Sequence, residues 1–174
     1  MKITPIFHIL SILIMPLSGF MMVSGFVDFV YNNQNWINFL ISATITLFVG
    51  MSVFLATRGH NDQNVDLRQA FVLTTMSWVT IAFFGALPFY LSNINLNFTD
   101  SFFESMSGIT TTGSTILINI EASPPGILVW RSLLQWLGGI GVIVMAIAIF
   151  PMLSVGGMQL FKAENFENPE KVVP

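Results

Sequence analysis

The stretch Asp100-Ser-Phe-Phe-Glu-Ser-Met-Ser-Gly-Ile-Thr-Thr-Thr-Gly-Ser-Thr115 is too polar for a membrane span, although it lies between two long apolar runs. Asp100 is predicted to be the N-cap of a short helix, and Gly108 with the threonines behind it ends the helical pattern. Residues 110–115 are rich in hydroxyls and carry no charge. Because lipid cannot satisfy irregular backbone, this segment must be buried in protein or line a watery cavity.

The composition indicates whether lipid or water surrounds the folded chain. Of its 174 residues, 53% are hydrophobic and 9% are charged, and the mean hydropathy is +0.74. These values are typical of an integral membrane protein. At roughly 20 apolar residues per spanning helix, the chain has space for about four spans and no sizeable soluble domain. The absence of cysteine excludes disulfides, thiolate metal sites and cysteine nucleophiles.

Four apolar runs predict an all-α integral membrane fold. They cover about residues 3–30, 36–57, 70–91 and 126–152. In the third run, Pro88 should kink one end of the helix. Small residues in the third and fourth runs should let another helix approach closely. They are Ala82, Gly85, Ala86, Gly138, Gly139 and Gly141.

The basic residues predict the orientation in the membrane. Five of the six lie where the positive-inside rule puts the cytoplasm, namely Lys2, Arg58, Arg68, Lys162 and Lys171. Arg131 alone falls on the outer half. Both termini are therefore expected in the cytoplasm, and the polar stretch is expected to enter the bilayer from outside and to return there.

A half-helix entering from outside points the negative end of its dipole toward the middle of the bilayer, where a desolvated cation would gain from it. A potassium filter needs consecutive carbonyl oxygens along one axis, with small, uncharged side chains. Residues 110–114 meet that demand, and Gly113 can take the positive φ that such a ladder requires. The alternative is an ordinary external loop, since runs of Ser, Thr and Gly are common there.

Three charged residues in or near the apolar runs have predicted roles. Glu104 and Arg131 would each be expensive in lipid, and we expect them to pair, so that Arg131 braces the half-helix rather than binding the ion. Asp28, near the end of the first run, is interpreted as an interfacial or capping carboxylate. A cation-attracting residue at the mouth of the pore is the alternative for Asp28.

Two motifs match a known family. Phe103-Glu-Ser-x-Ser-Gly-x-Thr-Thr-Thr-Gly-Ser114, followed by Trp130-Arg-Ser-x-x-Gln-Trp-x-Gly-Gly-x-Gly141, closely resembles the first pore repeat of the TrkH-type potassium uptake proteins of the Trk/Ktr/HKT superfamily. The tail 155–164 resembles that family's link to a second repeat. In the family, two leading helices precede four membrane-pore-membrane repeats, each giving one quarter of the filter.

The resemblance implies a division of the chain and a set of site residues. Residues 1–69 are the leading helices with a cytoplasmic loop, and residues 154–174 are a cytoplasmic connector. Residues 70–153 are the first repeat, with spans at about 70–91 and 126–152, a half-helix at about 100–109 and a filter at 110–115. The filter residues implied to bind potassium are Thr110, Thr111, Thr112, Gly113 and Ser114, with K⁺ contacts at Thr111, Thr112 and Gly113.

The resemblance also implies a function and partners. It implies potassium uptake in a bacterial inner membrane, with the remaining three pore repeats, the lipid bilayer and a cytoplasmic nucleotide-binding regulatory ring as partners. We expect no cofactor and no nucleic-acid partner. The sequence leaves open whether the ion moves by symport with protons or by channel-like flow, and whether potassium is preferred to sodium.

The chain departs from the family pattern because it carries one repeat. It is either a piece of a longer protein or a subunit of which several copies assemble, since one carbonyl strand cannot surround an ion. The alternative function is a noncatalytic assembly or regulatory membrane subunit that packs against complete pore proteins. An enzyme is not indicated, since the chain has no Gly-x-Ser-x-Gly or His-Glu-x-x-His motif and no paired carboxylates on one helix.

Overall fold

The computed structural model describes residues 3–59 and 67–143, and within these ranges all regular structure is helical. The helices are α1 (Thr4–Val30), α2 (Trp36–Thr57), α3 (Leu67–Gly85), α4 (Leu87–Leu91), α5 (Phe98–Ile109) and α6 (Pro125–Ile143). Among the described residues, four stretches are long and apolar enough to cross a membrane: Thr4–Val30, Trp36–Thr57, Gln69–Leu91 and Pro125–Ile143. The chain is therefore an all-α membrane protein, as its composition predicts.

The third span is interrupted where proline predicts an interruption. Helix α3 ends at Gly85 and α4 begins at Leu87, so regular helix breaks at Ala86. Pro88 has no N–H to offer the carbonyl of Phe84, four residues earlier, and its ring crowds that turn. The prediction of an irregularity at this end of the span is confirmed.

The chain divides into two compact units, residues 1–138 and 139–174. In the second unit the structure describes residues 139–143, which are helical. The predicted end of the last span near residue 152 and the connector 154–174 lie outside the described residues, as do Lys2, Lys162 and Lys171. The division into 1–69, 70–153 and 154–174 stays a prediction.

Helices α1 and α2 form a hairpin that packs through glycine. A Cβ added to Gly25 would lie 2.9 Å from the Cβ of Phe39, and one added to Gly50 would lie 3.0 Å from the Met15 side chain. At the other end of α1, the His8 ring makes a 2.9 Å hydrogen bond with the Thr57 hydroxyl. Because the two backbones approach so closely, the hairpin gains dispersion contacts that lipid tails would not supply as densely.

Helix α5 lies against α3 through small residues. An added Cβ on Gly85 would overlap the hydroxyl of Ser105, so only hydrogen fits there. Ala82 and Ala86, on the same helical surface as Gly85, are fully buried. The indole N–H of Trp130 donates to the Gly85 carbonyl at 3.0 Å, which joins α6 to the same place. The prediction that the small residues of the third span let another helix approach closely is therefore confirmed.

The other side of α5 packs against helix α6. A Cβ on Gly108 would lie 3.0 Å from that of Leu134, and a Cβ on Gly138 would overlap the carbonyl of Ile109, the last residue of α5. Gly138 therefore lets the end of the half-helix rest directly on the α6 backbone. The same expectation for Gly139 and Gly141, which belong to the second unit, stays a prediction.

Replacement of Gly138 by alanine should destabilise the protein, because the methyl group would push the end of α5 off its seat. Overpacking of this kind costs about 1–3 kcal/mol, which corresponds to a fall in Tm of about 2–12 °C. Thermal unfolding of the purified protein in detergent measures this fall in Tm.

The control for this prediction is Gly19→Ala. A Cβ at Gly19 meets no described atom within 4 Å, so the substitution adds helix propensity without a clash. An unchanged or higher Tm is expected for the control. Equal Tm values for the two variants would contradict the close contact between Gly138 and Ile109.

Candidate functional site

Helix α5 begins two residues before the predicted start. Its N-cap is Asn97, whose backbone is extended and whose side chain accepts a hydrogen bond from the Asp100 N–H at 2.8 Å. The prediction that Asp100 is the N-cap is therefore wrong. Asp100 instead occupies the first turn, where its negative charge favours the helix N-terminus. The signal in the sequence was an asparagine three residues before an acidic residue, which is a capping pattern.

The other end of α5 closes in a Schellman motif. Thr110 is the C-cap, the Thr111 N–H donates to the Gly108 carbonyl at 2.9 Å, and the Thr112 N–H donates to the Ser107 carbonyl at 3.0 Å. This is the paired pattern that ends many helices. The helix thus ends at Ile109, as predicted, although the turn is made by threonines and not by Gly108.

The residue that makes this turn has a left-handed backbone. Thr111 has φ +58°, at the position where helices usually place glycine. A β-branched residue with positive φ is uncommon and strained, at a cost of order 1–3 kcal/mol. Gly113 has φ +77°, as predicted. The positive φ at Thr111 was not predicted, since nothing in a run of three threonines distinguishes the middle one.

These hydrogen bonds set the direction of three carbonyl groups. The amide N–H groups of Thr111, Thr112 and Gly113 all donate to carbonyls at the end of α5, with Gly113 donating to Ser107 at 3.3 Å. No peptide bond among the described residues is cis, so each C=O points opposite to the N–H of its own peptide plane. The carbonyls of residues 110, 111 and 112 are therefore directed away from the half-helix, and none of them accepts a hydrogen bond within the described ranges.

The hydroxyls of the segment are ordered against the helix end. Thr110 donates its hydroxyl proton to the Met106 carbonyl at 2.7 Å, and its oxygen lies 2.8 Å from the Thr112 hydroxyl. Because Thr110 has only one hydroxyl proton, Thr112 is the donor in the second bond. Both side chains are thereby oriented without any charged group, although residues 110–114 are exposed in this chain.

Ser114 differs from the residues before it. Its carbonyl accepts a 2.6 Å hydrogen bond from the Ser107 hydroxyl, so this oxygen is turned back toward α5. Beyond it, Thr115 and Ile116 lie beside Glu104, one turn nearer the start of α5 than Ser107. The chain after the half-helix therefore runs back along it, as predicted. The carbonyl of Ser114 does not share the direction of the three before it.

Glu104 joins the half-helix, α6 and the extended segment of residues 114–116 that returns along the half-helix, here called the returning strand. Its Oε1 accepts from the Thr115 hydroxyl and from the Ile116 N–H, both at 2.6 Å. Its Oε2 accepts from Nε of Arg131 at 2.9 Å, with the carboxylate fully buried and Arg131 14% exposed. The predicted ion pair is present. The two hydrogen bonds from the returning strand were not predicted, because the sequence does not indicate that strand's register against α5.

The site contains no group that would hold a tightly bound metal. No cluster of three or more His, Asp or Glu side chains with metal-binding geometry occurs in the described part of the chain. What the site does offer is a short row of backbone oxygens with neutral side chains. Such oxygens suit a weakly held monovalent cation, since no charge traps the ion.

Comparison with known proteins shows to which proteins the chain is similar. The family model for TrkH, described as a cation transport protein, matches residues 35–171. The Trk system potassium uptake protein TrkI of Halomonas elongata is 44% identical over 170 residues, which cover 98% of this chain and 34% of that protein. The Trk system potassium uptake protein TrkH of Escherichia coli K12 is 39% identical over 165 residues, with coverages of 94% and 34%.

A solved structure shows the same fold. The crystal structure of the potassium transporter TrkH from Vibrio parahaemolyticus superposes with a TM-score of 0.83 at 32% sequence identity. The match covers 95% of this chain and 36% of that one. The chain thus spans about a third of the length of the relatives it matches.

Removal of one partner of the buried ion pair should destabilise the protein. Arg131→Gln leaves the buried Glu104 carboxylate without its cation, and loss of one partner of a buried pair costs about 3–5 kcal/mol. Glu104→Gln with Arg131→Gln should cost less than the sum of the two single changes. A double-mutant cycle on Tm in detergent measures this coupling, and additive effects would contradict it.

Thr111→Gly should stabilise the protein, because glycine adopts positive φ without strain. After subtraction of glycine's extra entropy in the unfolded state, a gain of about 1 kcal/mol is expected, or a rise in Tm of about 2–4 °C. Thr112→Gly is the matched control, since Thr112 does not have positive φ and its hydroxyl bonds to Thr110. An unchanged or lower Tm for Thr111→Gly, or an equal rise for both variants, would refute the strain.

Proposed function

The chain belongs to the TrkH family of cation transport proteins, and from this membership we propose that it serves potassium uptake across a membrane by supplying one segment of an ion filter. Thr110 to Ser114 form this filter segment, in which the carbonyls of Thr110, Thr111 and Thr112 face the ion path and that of Ser114 is turned toward α5. The observation that carries the proposal is the shared direction of the Thr110, Thr111 and Thr112 carbonyls, away from the half-helix whose end holds their peptide N–H groups.

The chemistry of the segment suits potassium as a transported ion. Carbonyl oxygens replace the hydration shell of the ion, and the absence of charge lets the ion leave again. We assign the K⁺ contacts to Thr111, Thr112 and Gly113, as the family resemblance implies. The positive φ of Gly113 turns the chain between Thr112, whose carbonyl points away from α5, and Ser114, whose carbonyl points toward α5.

The depth of the half-helix in the membrane supports the same proposal. Gly138, on which the end of α5 rests, lies about 20 Å along α6 from Pro125 at roughly 1.5 Å per residue. A hydrocarbon core about 30 Å thick then contains the end of the half-helix well below its surface. The negative end of the α5 dipole would favour a cation at this depth.

One segment does not make a filter, since a single strand cannot surround an ion. We propose that three further segments complete the ring, either from the same polypeptide or from other copies. The chain spans 34% of the relatives named above, which fits a contribution to a larger pore. A cytoplasmic regulatory ring as partner, an inner-membrane location and cytoplasmic termini belong to the proposal on the strength of family resemblance and of the positive-inside rule.

The experiment is growth and rubidium uptake at low potassium in a strain without its own potassium uptake systems. The strain expresses either this chain or the polypeptide of its native gene. Gly113→Ala in the product that restores growth should lower uptake at least fivefold, which corresponds to about 1 kcal/mol of left-handed strain. Space is not the cause, because a Cβ at Gly113 meets no described atom within 4 Å.

Gly59→Ala is the matched control. Gly59 also has positive φ (+124°), and an added Cβ there meets no described atom within 4 Å, but it lies after α2 and outside the filter. Equal losses in the two variants would remove Gly113 from the filter. If neither product restores growth while both insert in the membrane, potassium uptake is wrong. Enhancement of uptake by a complete Trk protein would then favour the alternative, a noncatalytic assembly subunit.

A further inference from the structure

The start of α6 leaves one backbone donor that local residues do not satisfy. The helix begins with Pro124 before it and Pro125 at its first position, and proline has no N–H. The Ile127 and Leu128 N–H groups both donate to the Pro124 carbonyl, at 2.9 and 3.3 Å. Only the N–H of Gly126 remains among the donors that a helix N-terminus must satisfy.

The missing acceptor comes from the leading hairpin. Oδ1 of Asp28, near the end of α1, accepts from the Gly126 N–H at 2.7 Å, across 98 positions in the sequence. Asp28 thus performs for α6 the task that an N-cap side chain performs for its own helix. Of the two interpretations from sequence, the capping carboxylate is confirmed. A cation-attracting mouth residue is wrong, because Asp28 is fully buried.

The second oxygen of Asp28 is also engaged. Oδ2 accepts from the side-chain amide of Asn35 at 3.1 Å, and the Asp28 carbonyl accepts from the Asn33 N–H at 2.9 Å. Asn35 is itself buried and lies directly before α2. The turn between α1 and α2 therefore holds the Asp28 side chain in one orientation, which makes it a rigid acceptor.

The contact also explains a glycine inside the first turn of α6. A Cβ on Gly126 would lie 2.5 Å from Cγ of Asp28 and 2.7 Å from the Ser24 carbonyl. Any other residue would thus push α6 away from α1. Two independent features, a directional hydrogen bond and close packing, therefore define where α6 begins relative to the leading hairpin.

The position of α6 bears directly on Glu104. Arg131 lies on the same helix, about 7.5 Å beyond Gly126 at roughly 1.5 Å per residue. It reaches Glu104 at 2.9 Å, and Glu104 accepts from the Ile116 N–H of the returning strand at 2.6 Å. A helix is stiff over this distance, so a shift at Gly126 displaces the guanidinium by a similar amount.

We propose that Asp28 is a positioning residue for the filter segment, acting through the Gly126 N–H and the Arg131–Glu104 pair. The leading hairpin is then not only a lipid-facing attachment. It sets the position of α6 along its own axis. It thereby also sets the position of the Arg131–Glu104 pair, which holds the segment that follows the half-helix. The consequence for ion passage rests on the proposed function, whereas the consequence for the strand does not.

The experiment is hydrogen exchange on the purified full chain in lipid nanodiscs. Asp28→Ala should accelerate amide exchange roughly tenfold at the start of α6 and also in residues 111–116, which includes the Ile116 amide on Glu104. Asp28→Asn combined with Asn35→Asp exchanges donor and acceptor between these two side chains and keeps an acceptor for Gly126, so it should restore slow exchange in both segments. Acceleration confined to the start of α6, or none at all, would overturn the proposal.

Ser24→Ala is the matched control. Ser24 is a fully buried polar residue one turn before Asp28, and its hydroxyl donates only within its own helix, to the Phe20 carbonyl at 3.3 Å. Amide exchange in the Ser24→Ala variant should match that of the unaltered chain in both segments. Faster exchange of residues 111–116 in this variant as well would show a general loosening of α1 and would overturn the role of Asp28.

A transport measurement separates this proposal from the proposed function. In the growth-restoring product, Asp28→Ala should lower the preference for potassium over sodium about fivefold, and Asp28→Asn combined with Asn35→Asp should retain it. If the unaltered product transports potassium and Asp28→Ala keeps its preference, the positioning of the filter is wrong while the proposed function stands. If no product transports potassium, the exchange pattern alone decides the positioning role.

Discussion

The conformation of the polar stretch between the last two spans depends on the contacts of one buried group, the carboxylate of Glu104. It receives the Thr115 hydroxyl and the Ile116 N–H on one oxygen and Arg131 on the other. Inside a membrane, water is not present to satisfy these donors or to screen the charges. The returning strand, the half-helix and α6 therefore keep their relative positions, because separation of any two would leave a charge or a donor without a partner.

Helix α5 is organised for lipid and not for water. Apart from Ile109 at its end, its buried residues are small or polar, among them Ser101, Glu104, Ser105 and Gly108, while Phe98 and Phe103 are exposed. In a protein surrounded by lipid tails, exposure of phenylalanine costs little, and attraction between helices comes from close packing and hydrogen bonds. Small residues on α3 and α6 provide that packing, so the polar end of the half-helix is held by backbone contact.

Much of the fold and part of the site could be predicted from the amino-acid sequence. The apolar runs predicted α1 and α2 closely, since each span carries its own hydropathy. The pairing of Glu104 with Arg131 could be predicted because two charges in lipid have few other partners. The N-cap was misplaced at Asp100 because Asn97 and Asp100 are both good caps, and only the extended backbone of Asn97 distinguishes them. The left-handed turn at Thr111 could not be predicted, because it depends on which carbonyls of α5 the following N–H groups reach.

The amino-acid sequence by itself determined the solvent of this protein, the places of its apolar spans and the uncharged, hydroxyl-rich character of residues 110–115. These are local properties, because hydropathy and charge belong to each residue wherever it lies. Only the tertiary structure decided the direction of the Thr110 to Thr112 carbonyls and the capping of Gly126 by Asp28, 98 positions away. The orientation of a peptide plane or a carboxyl group follows from the partner that it finds in space, and hydrogen bonds between distant segments form only once the helices have packed.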